Sequence, residues 1–223
     1  RAFLANLIAN RADPLRPDEI RDYTDAESRT DRYTELAGKP STELTVEEIS
    51  ALRPEVHALI AQRAQGTRLV MTHNFAGSFE GHPTFNWQVT AGAIYVVRNP
   101  LDVAVSMTHH FGLTQDEAIE RLGDDRVASI NDAVAVSHLI GSWSTHVSGW
   151  ADMAERAPGK VIVLRYEDLL EKPAKHFAKA AKLIGLGNDK ARIERAVKHT
   201  SFQILSSLEQ KHGFVEADRK SVV

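Results

Sequence analysis

Three short runs of aliphatic and β-branched residues constrain this chain more than any other feature of its sequence. They occupy residues 67–72 (TRLVMT), 93–97 (AIYVV) and 161–164 (VIVL), and their apolar residues are consecutive instead of alternating. Consecutive apolar positions are typical of strands that are buried on both faces. Because helical patterns separate the runs, the sequence predicts a three-layer α/β fold, with a central parallel sheet and helices on both faces.

The segments around these runs carry helical patterns with recognisable starts. Thr45 with Glu48, and Thr114 with Glu117, have the spacing of capping boxes. Pro54 is predicted at the first position of a helix, where its missing N–H is harmless. Helical stripes are also predicted over residues 3–8, 139–150 and 177–184, and from Asn188 onward with Ile193, Ala196 and Val197 facing inward.

Length and composition bound the class of protein. At 223 residues, 43% hydrophobic and 26% charged, the chain is predicted to form a single domain over residues 1–223. A formal net charge of −3 favours no nucleic-acid partner, and the lack of cysteine excludes disulfides and thiolate chemistry. With no signal-peptide pattern and no apolar run near the roughly 18 residues of a spanning helix, we expect a soluble, cytoplasmic protein without a membrane partner. The polar stretch 11–41 is expected to be the most flexible.

Basic and aromatic side chains follow the three predicted strands directly. They are His73, Arg98, and Arg165 with Tyr166. Ligands of parallel sheets bind at the carboxyl ends of the strands, so this set suits an enzyme that transfers an anionic group. The alternative is that these residues are polar because strand ends meet water.

The segment 95–111 (YVVRNPLDVAVSMTHHF) is the most informative of the chain. It predicts a strand running into a helix with Asn99 as N-cap and Pro100 at the first position. Arg98 and Ser106 can bind a phosphate together, through a guanidinium fork and a hydroxyl two turns further on. The alternative is a surface arginine and a solvated serine. The residues expected to face the core are Val103, Met107 and Phe111.

Three segments, in this order, resemble the sulfotransferases that use 3′-phosphoadenosine-5′-phosphosulfate (PAPS): 95–106 (YVVRNPLDVAVS), 161–173 (VIVLRYEDLLEKP) and 199–203 (HTSFQ). The resemblance runs from about residue 70 to residue 214. It implies a P-loop NTPase-like α/β fold. It also implies sulfuryl transfer from PAPS to a hydroxyl or amine of a small-molecule acceptor, leaving adenosine 3′,5′-bisphosphate.

The resemblance further implies which residues bind the cofactor. Arg98 and Ser106 would bind the 3′-phosphate, and Tyr166, Thr200 and Phe202 would surround the adenine. Without the flanking matches, Phe202 would be read as a core residue and Tyr166 as a packed one.

The resemblance assigns the general base to His73, in the segment 70–74 (VMTHN). An imidazole is suited to accept the proton of an attacking hydroxyl near neutral pH. Met71 departs from the family, which usually has lysine there. The family's phosphate loop is not found: residues 1–10 resemble the helix that follows it, and a basic cofactor segment would begin beyond Val223. We therefore expect that the natural protein has both pieces and that they are either missing from this chain or disordered in it.

Two other functions stay open. A phosphotransferase of the same architecture would need a triphosphate-binding loop and an acidic magnesium ligand such as Asp168. A non-catalytic protein that keeps the nucleotide fold is conceivable because of Met71. No metal site is expected, since His109 and His110 are adjacent and HExxH is absent. The acceptor pocket is expected in residues 74–88, whose rings favour an apolar or ring-bearing acceptor; the oligomeric state is not predicted.

Overall fold

The structure, a computed structural model, describes residues 1–213. The helices are Ala2–Ala9 (α1), Pro17–Ile20 (α2), Thr30–Ala37 (α3), Val46–Arg63 (α4), Pro100–Phe111 (α5), Gln115–Gly123 (α6), Trp143–Arg156 (α7), Tyr166–Glu171 (α8), Pro173–Leu183 (α9), Lys190–His199 (α10) and Phe202–His212 (α11). The strands are Thr24–Ala26 (β1), Leu69–Met71 (β2), Ser78–Phe79 (β3), His82–Pro83 (β4), Ala93–Val97 (β5) and Val161–Arg165 (β6), and 3₁₀ turns cover Arg21–Tyr23 and Ser41–Glu43.

The contacts of the chain group into two compact units. One contains residues 1–25 and 168–213, and the other contains residues 26–167. The first unit has a core in which Phe3 and Leu7 of α1 meet side chains of α9 and α10. The rings of Phe3 and Phe177 stack there with centroids 4.1 Å apart. The single-domain organisation stays a prediction.

The second unit contains the parallel strand pair that the sequence predicts. β5 and β6 pair from Ala93 with Val161 to Val97 with Arg165. Val161 and Leu164 are buried, whereas Val96 is 49% exposed. The expected burial on both faces is therefore incomplete at β5. A two-stranded pair gives each side chain fewer neighbours than the wide sheet that a consecutive apolar run predicts.

The two predicted capping boxes are confirmed at the starts of α4 and α6. The Thr45 hydroxyl accepts from the Glu48 amide at 3.2 Å, and the Glu48 carboxylate accepts from the Thr45 amide at 2.8 Å. Thr114 and Glu117 form the same box at α6. Each box satisfies amide groups that have no partner inside the helix.

Three predicted helix boundaries are wrong. Pro54 does not start a helix but lies inside α4, which begins at its Thr45 cap and buries one face on both sides of the proline. α7 starts at Trp143, because Ser142 caps it and residues 139–140 are extended. α10 starts at Lys190, because Asp189 and not Asn188 supplies the capping oxygen.

The polar stretch 11–41 is more structured than expected. It contains α2, β1 and α3, and Tyr33 is fully buried in a core cluster with residues of α4. Within the described part of the chain, no helix combines the length and the apolar character that crossing a bilayer requires.

α7 packs closely on the chain segment that follows β2. A Cβ atom built at Gly149 would overlap the backbone carbonyl oxygen of Ala76. The Trp150 indole N–H donates to the Asn74 carbonyl at 3.2 Å on the same side. Helix and segment can therefore approach this closely only with glycine at position 149.

Gly149→Ala is expected to destabilise the protein by about 1–3 kcal/mol, because the new methyl group forces α7 away from Ala76. The matched control is Gly123→Ala at the end of α6, where an added Cβ meets nothing within 4 Å. That change should stabilise by roughly 0.4–1 kcal/mol, since alanine restricts the unfolded chain. Urea unfolding of both variants measures the difference; equal effects would contradict the close approach.

Candidate functional site

The loop after β5 is fixed by contacts from three directions. Asn99 caps α5 by accepting from the Leu101 amide at 3.0 Å, as predicted. The Asn99 amide itself donates to the Glu167 carboxylate at 2.8 Å, which ties the ends of β5 and β6 together. The Arg98 guanidinium lies over the Tyr166 ring, 4.9 Å from its centroid. A cation on an aromatic face is attracted by the ring electrons, so Tyr166 orients Arg98.

Arg98 and Ser106 line one pocket of about 130 Å³, together with His110 of α5. Two of the predicted phosphate-binding residues are thus brought together. The Nε atom of Arg98 is buried and has no hydrogen-bond partner among residues 1–213. A buried guanidinium N–H without a partner is costly, and an anionic ligand would satisfy it. This pocket therefore fits a phosphate group.

The apolar stripe of α5 has a different place from the one predicted. Val103, Met107 and Phe111 line the pocket beside Arg98, and Phe111 is 43% exposed. The prediction that they face the core is wrong. The side chain that α5 buries is the small Ala104, which lets the helix lie close to its neighbours and leaves the larger residues around the pocket.

The three residues predicted to surround adenine are divided between the two units. Tyr166 belongs to the unit 26–167 and is 36% exposed. Thr200 and Phe202 belong to the other unit, where the Thr200 hydroxyl donates to the Ala196 carbonyl at 2.8 Å. Phe202 is 85% exposed, which rules out the core reading of this ring. Their role toward adenine stays a prediction.

His73 is the second residue after β2, directly after the predicted strand 67–72, and is exposed. Its carbonyl oxygen accepts from His146 Nε2 of α7 at 3.2 Å. Since this nitrogen donates, His146 Nδ1 is the acceptor for the Tyr95 hydroxyl, 3.0 Å away. Burial raises the pKa of Tyr95 to about 12, so the phenol keeps its proton and its donor role.

α7 connects the strand ends that carry His73 and Arg98. Trp143, one turn before His146, donates its indole N–H to the Arg98 carbonyl at 3.1 Å. Two side chains of the first turn of α7 therefore hold the backbone of both Arg98 and His73 by hydrogen bonds. The two strand ends meet at the same end of this helix.

The pKa of His73 is lowered from its usual value. Partial desolvation of the ring is the main cause, and the nearby imidazoles of His138 and His146 lower it further. The Glu27 carboxylate acts in the opposite direction and is outweighed. A lowered pKa favours the unprotonated imidazole at neutral pH, which is the form that can accept a proton.

A buried ionic cluster lies behind His73, and sequence reasoning missed it. Glu27 is fully buried, and its Oε1 atom accepts from Arg53 Nη1 and Asn74 Nδ2, both at 2.6 Å. The Thr72 hydroxyl donates to the same oxygen at 3.3 Å. Arg53 is 1% exposed. Glu27 stands in the polar stretch 11–41, and no spacing pattern marks it in the sequence.

His57 completes the other side of this carboxylate. Its Nε2 atom lies 3.2 Å from Glu27 Oε2, while its Nδ1 atom accepts from the Asn86 amide at 3.2 Å. Because Nδ1 accepts, the ring proton is on Nε2 and is donated to Glu27. Burial alone would raise the pKa of Glu27, but the charge of Arg53 and the nearby imidazoles of His138 and His57 hold it well below its usual range.

Rings of the loop 74–88 pack inward. Phe85 is buried in a cluster with Trp150 and Val161, and Trp87 packs against the same cluster. The Phe85 and Trp150 rings meet at 4.9 Å between centroids. Phe85 and Trp87 therefore contribute to the core, and the acceptor pocket in residues 74–88 stays a prediction.

Comparisons with known proteins point to one family. A family model described as a sulfotransferase domain matches residues 4–215. Sulfotransferase 1B1 of Mus musculus is 30% identical over 146 residues, which cover 66% of this chain and 46% of that protein. Sulfotransferase 1A1 of Canis lupus familiaris is 31% identical over 110 residues, covering 49% of this chain and 36% of that protein. The chain thus spans less than half the length of these curated relatives.

Solved structures give the same answer at the level of the fold. The structure of mouse sulfotransferase SULT7A1 complexed with PAP has a TM-score of 0.55 at 21% identity, covering 92% of this chain and 61% of that one. Retinol dehydratase, in complex with androsterone and the inactive cofactor PAP, has a TM-score of 0.57 at 17% identity, covering 98% and 65%. The predicted P-loop NTPase-like α/β fold class is confirmed.

Arg53→Met is expected to destabilise the protein by about 3–5 kcal/mol, because it leaves the buried Glu27 charge without its ionic partner. The matched control on the same helix is Arg63→Met, which removes an exposed pair with Glu35 at 2.5 Å. Exposed pairs contribute at most about 1 kcal/mol. Denaturant unfolding near pH 7 gives both values, and similar losses would contradict the role of the buried pair.

Proposed function

Because the chain belongs to the sulfotransferase domain family, as its three ordered segments predict, we propose that it transfers a sulfuryl group from PAPS to a small-molecule acceptor. The acceptor group is a hydroxyl or an amine. The observation that supports this most directly is a pair of hydrogen bonds from α7. Side chains of its first turn donate to the backbone carbonyls of Arg98 and of His73. An anion-binding guanidinium and a candidate base thereby belong to one group of strand ends.

Arg98 and Ser106 are the residues that would hold the 3′-phosphate of the cofactor. The unpartnered Nε–H of Arg98 supports this assignment, as do the Ser106 hydroxyl and His110 in the same pocket. Tyr166 keeps the guanidinium in place from one ring face and offers its exposed part to the adenine. Thr200 and Phe202 carry the adenine role only through their motif, and the exposed Phe202 ring is available for stacking.

PAPS, when bound, supplies the sulfuryl group, and this chain supplies the base. His73 would accept the proton of the acceptor hydroxyl or amine as the acceptor oxygen or nitrogen bonds to sulfur. The bond from sulfur to the 5′-phosphate oxygen would break in the same step, and adenosine 3′,5′-bisphosphate would leave. The lowered pKa of His73 keeps the ring ready to accept that proton. Met71 on β2 provides no cation beside the transferred group, so stabilisation of negative charge rests on other residues.

Arg98→Ala is expected to weaken binding of adenosine 3′,5′-bisphosphate by about 1.5–3 kcal/mol, or roughly 10- to 150-fold, because a charge-assisted contact is lost. Calorimetric titration of the purified protein measures this change. Arg165→Ala is the matched control, since Arg165 ends the neighbouring strand, is exposed and lies 3.9 Å from Glu167. The affinity of the Arg165→Ala variant for adenosine 3′,5′-bisphosphate should stay within about twofold of the wild-type value.

The same titration with ATP separates the phosphotransferase alternative. Adenosine 3′,5′-bisphosphate is expected to bind more tightly than ATP, because the pocket after β5 would receive its 3′-phosphate. Tighter binding of ATP, or an equal loss in both arginine variants, would overturn the PAPS assignment.

His73→Gln is expected to lower turnover of PAPS with a panel of phenols and alcohols by roughly 10²- to 10⁴-fold, because the proton acceptor is removed. Affinity for adenosine 3′,5′-bisphosphate should be nearly unchanged. His212→Gln, on the exposed end of α11, is the control and should keep full turnover. A variant that loses cofactor affinity but not turnover would contradict the role of His73.

A further inference from the structure

The His73 ring has one aromatic neighbour among the described residues, and that neighbour is His138. The two ring centroids are 5.0 Å apart and the ring planes are nearly perpendicular, at 85°. His138 is 9% exposed, whereas His73 is exposed. A buried ring thus packs against the ring of the candidate base.

The backbone of His138 is held by hydrogen bonds to Ser129. Its amide donates to the Ser129 hydroxyl at 2.8 Å, and its carbonyl accepts from the Ser129 amide at 3.0 Å. The next residue, Leu139, donates its amide to Asn74 Oδ1 at 2.7 Å, and its carbonyl accepts from the Phe75 amide at 2.9 Å. The segment carrying His138 is therefore bonded directly to the segment carrying His73.

The side chain of His138 is anchored by Glu27. His138 Nδ1 lies 3.4 Å from Glu27 Oε1, a distance of electrostatic attraction more than of a well-formed hydrogen bond. Glu27 is in turn held by Arg53, which also donates to the Ser137 carbonyl at 2.9 Å. The carboxylate and the guanidinium therefore hold both the ring and the backbone around His138.

His57 contacts the same carboxylate, and among residues 1–213 its ring packs against Phe85 and not against His73. It binds the other oxygen of Glu27, and its ring neighbours Phe85 at 5.9 Å. The cluster thus contains two histidines on one carboxylate, the buried His138 and the partly buried His57, and of these His138 packs on the candidate base. Variants of His57 can therefore serve as the matched comparison for variants of His138.

We propose that His138, anchored by Glu27, is a positioning residue that sets the ring orientation of His73 for proton transfer. The inference rests on the proposed function, because it gives His73 the role of base. A base works only when its acceptor nitrogen is aimed at the attacking group, and misplacement by about 1 Å can cost roughly 100-fold in rate. His138 acts through His73 and does not itself meet the substrate.

Among the described residues, the titratable groups that act on the His73 ring come from several elements. They are Glu27 after β1, His138 in the segment before α7, and His146 of α7 with Tyr95 of β5 behind it. Of these, His138 and His146 lower the pKa of His73, and Glu27 raises it. Removal of the His138 imidazole should therefore move the titration midpoint of His73 to higher pH.

The test compares His138→Gln with His57→Gln. The ring C–H signal of His73, identified by its loss in His73→Gln, is titrated by NMR in the purified protein without ligands. His138→Gln is expected to raise the midpoint and His57→Gln to leave it in place. With PAPS and a phenol, His138→Gln should lower kcat by about 10- to 100-fold with little change in the KM for PAPS. His57→Gln changes a donor on the other oxygen of Glu27 and should lower kcat by clearly less than His138→Gln does.

His138→Phe is the second variant, because it keeps a ring against His73 while removing the nitrogen that faces Glu27. This variant should also raise the titration midpoint of His73, and its kcat with PAPS and a phenol should be higher than that of His138→Gln. Equal effects of the His138 and His57 variants, an unmoved midpoint in both His138 variants, or an unchanged kcat in His138→Gln would overturn the proposal. If the wild-type protein transfers no sulfuryl group, the proposed function fails, and the titration still decides whether His138 controls His73.

Discussion

The buried ion pair of Glu27 and Arg53 is the interaction on which the candidate site depends. Both side chains are withdrawn from water, which costs several kcal/mol per ion unless the geometry and the remaining hydrogen bonds compensate. Here the carboxylate receives donors from Arg53, His57, Asn74 and Thr72. These donors come from α4 and from the segment after β2, which are remote from Glu27 in sequence. One carboxylate therefore determines where the His73 segment runs.

α7 is the second organising element of the site. Trp143 and His146 bond to the carbonyls of Arg98 and His73, and one turn later Trp150 bonds to that of Asn74. Gly149 allows the helix backbone to come close enough for these bonds. These α7 side chains donate hydrogen bonds to backbone carbonyls. Such bonds fix the path of the backbone but leave the side chains of the accepting residues unconstrained. His73 and Arg98 can therefore face a ligand while their backbones are held.

Features governed by neighbouring residues were predictable from the sequence. Asn99, Thr45 and Thr114 cap their helices because each cap depends on residues within one turn. The pairing of β5 with β6 and the shared pocket of Arg98 and Ser106 also agree with the prediction. Predictions that needed the packing partners were less successful. The apolar stripe from Val103 to Phe111 was predicted to face the core but lines the pocket. An apolar pattern identifies one face of a helix, but it does not tell what packs against that face.

The amino-acid sequence by itself determined the fold class, the family motifs and the residues at the strand ends, because periodicity, caps and motifs are read over short distances along the chain. The tertiary structure alone decided that Glu27, Arg53, His57 and His138 form one buried cluster behind His73. These residues are separated by up to 111 positions, from 27 to 138, and a charged side chain in a polar stretch carries no sign of burial. Its partners, and therefore its ionisation and its role, exist only after long-range packing has removed it from water.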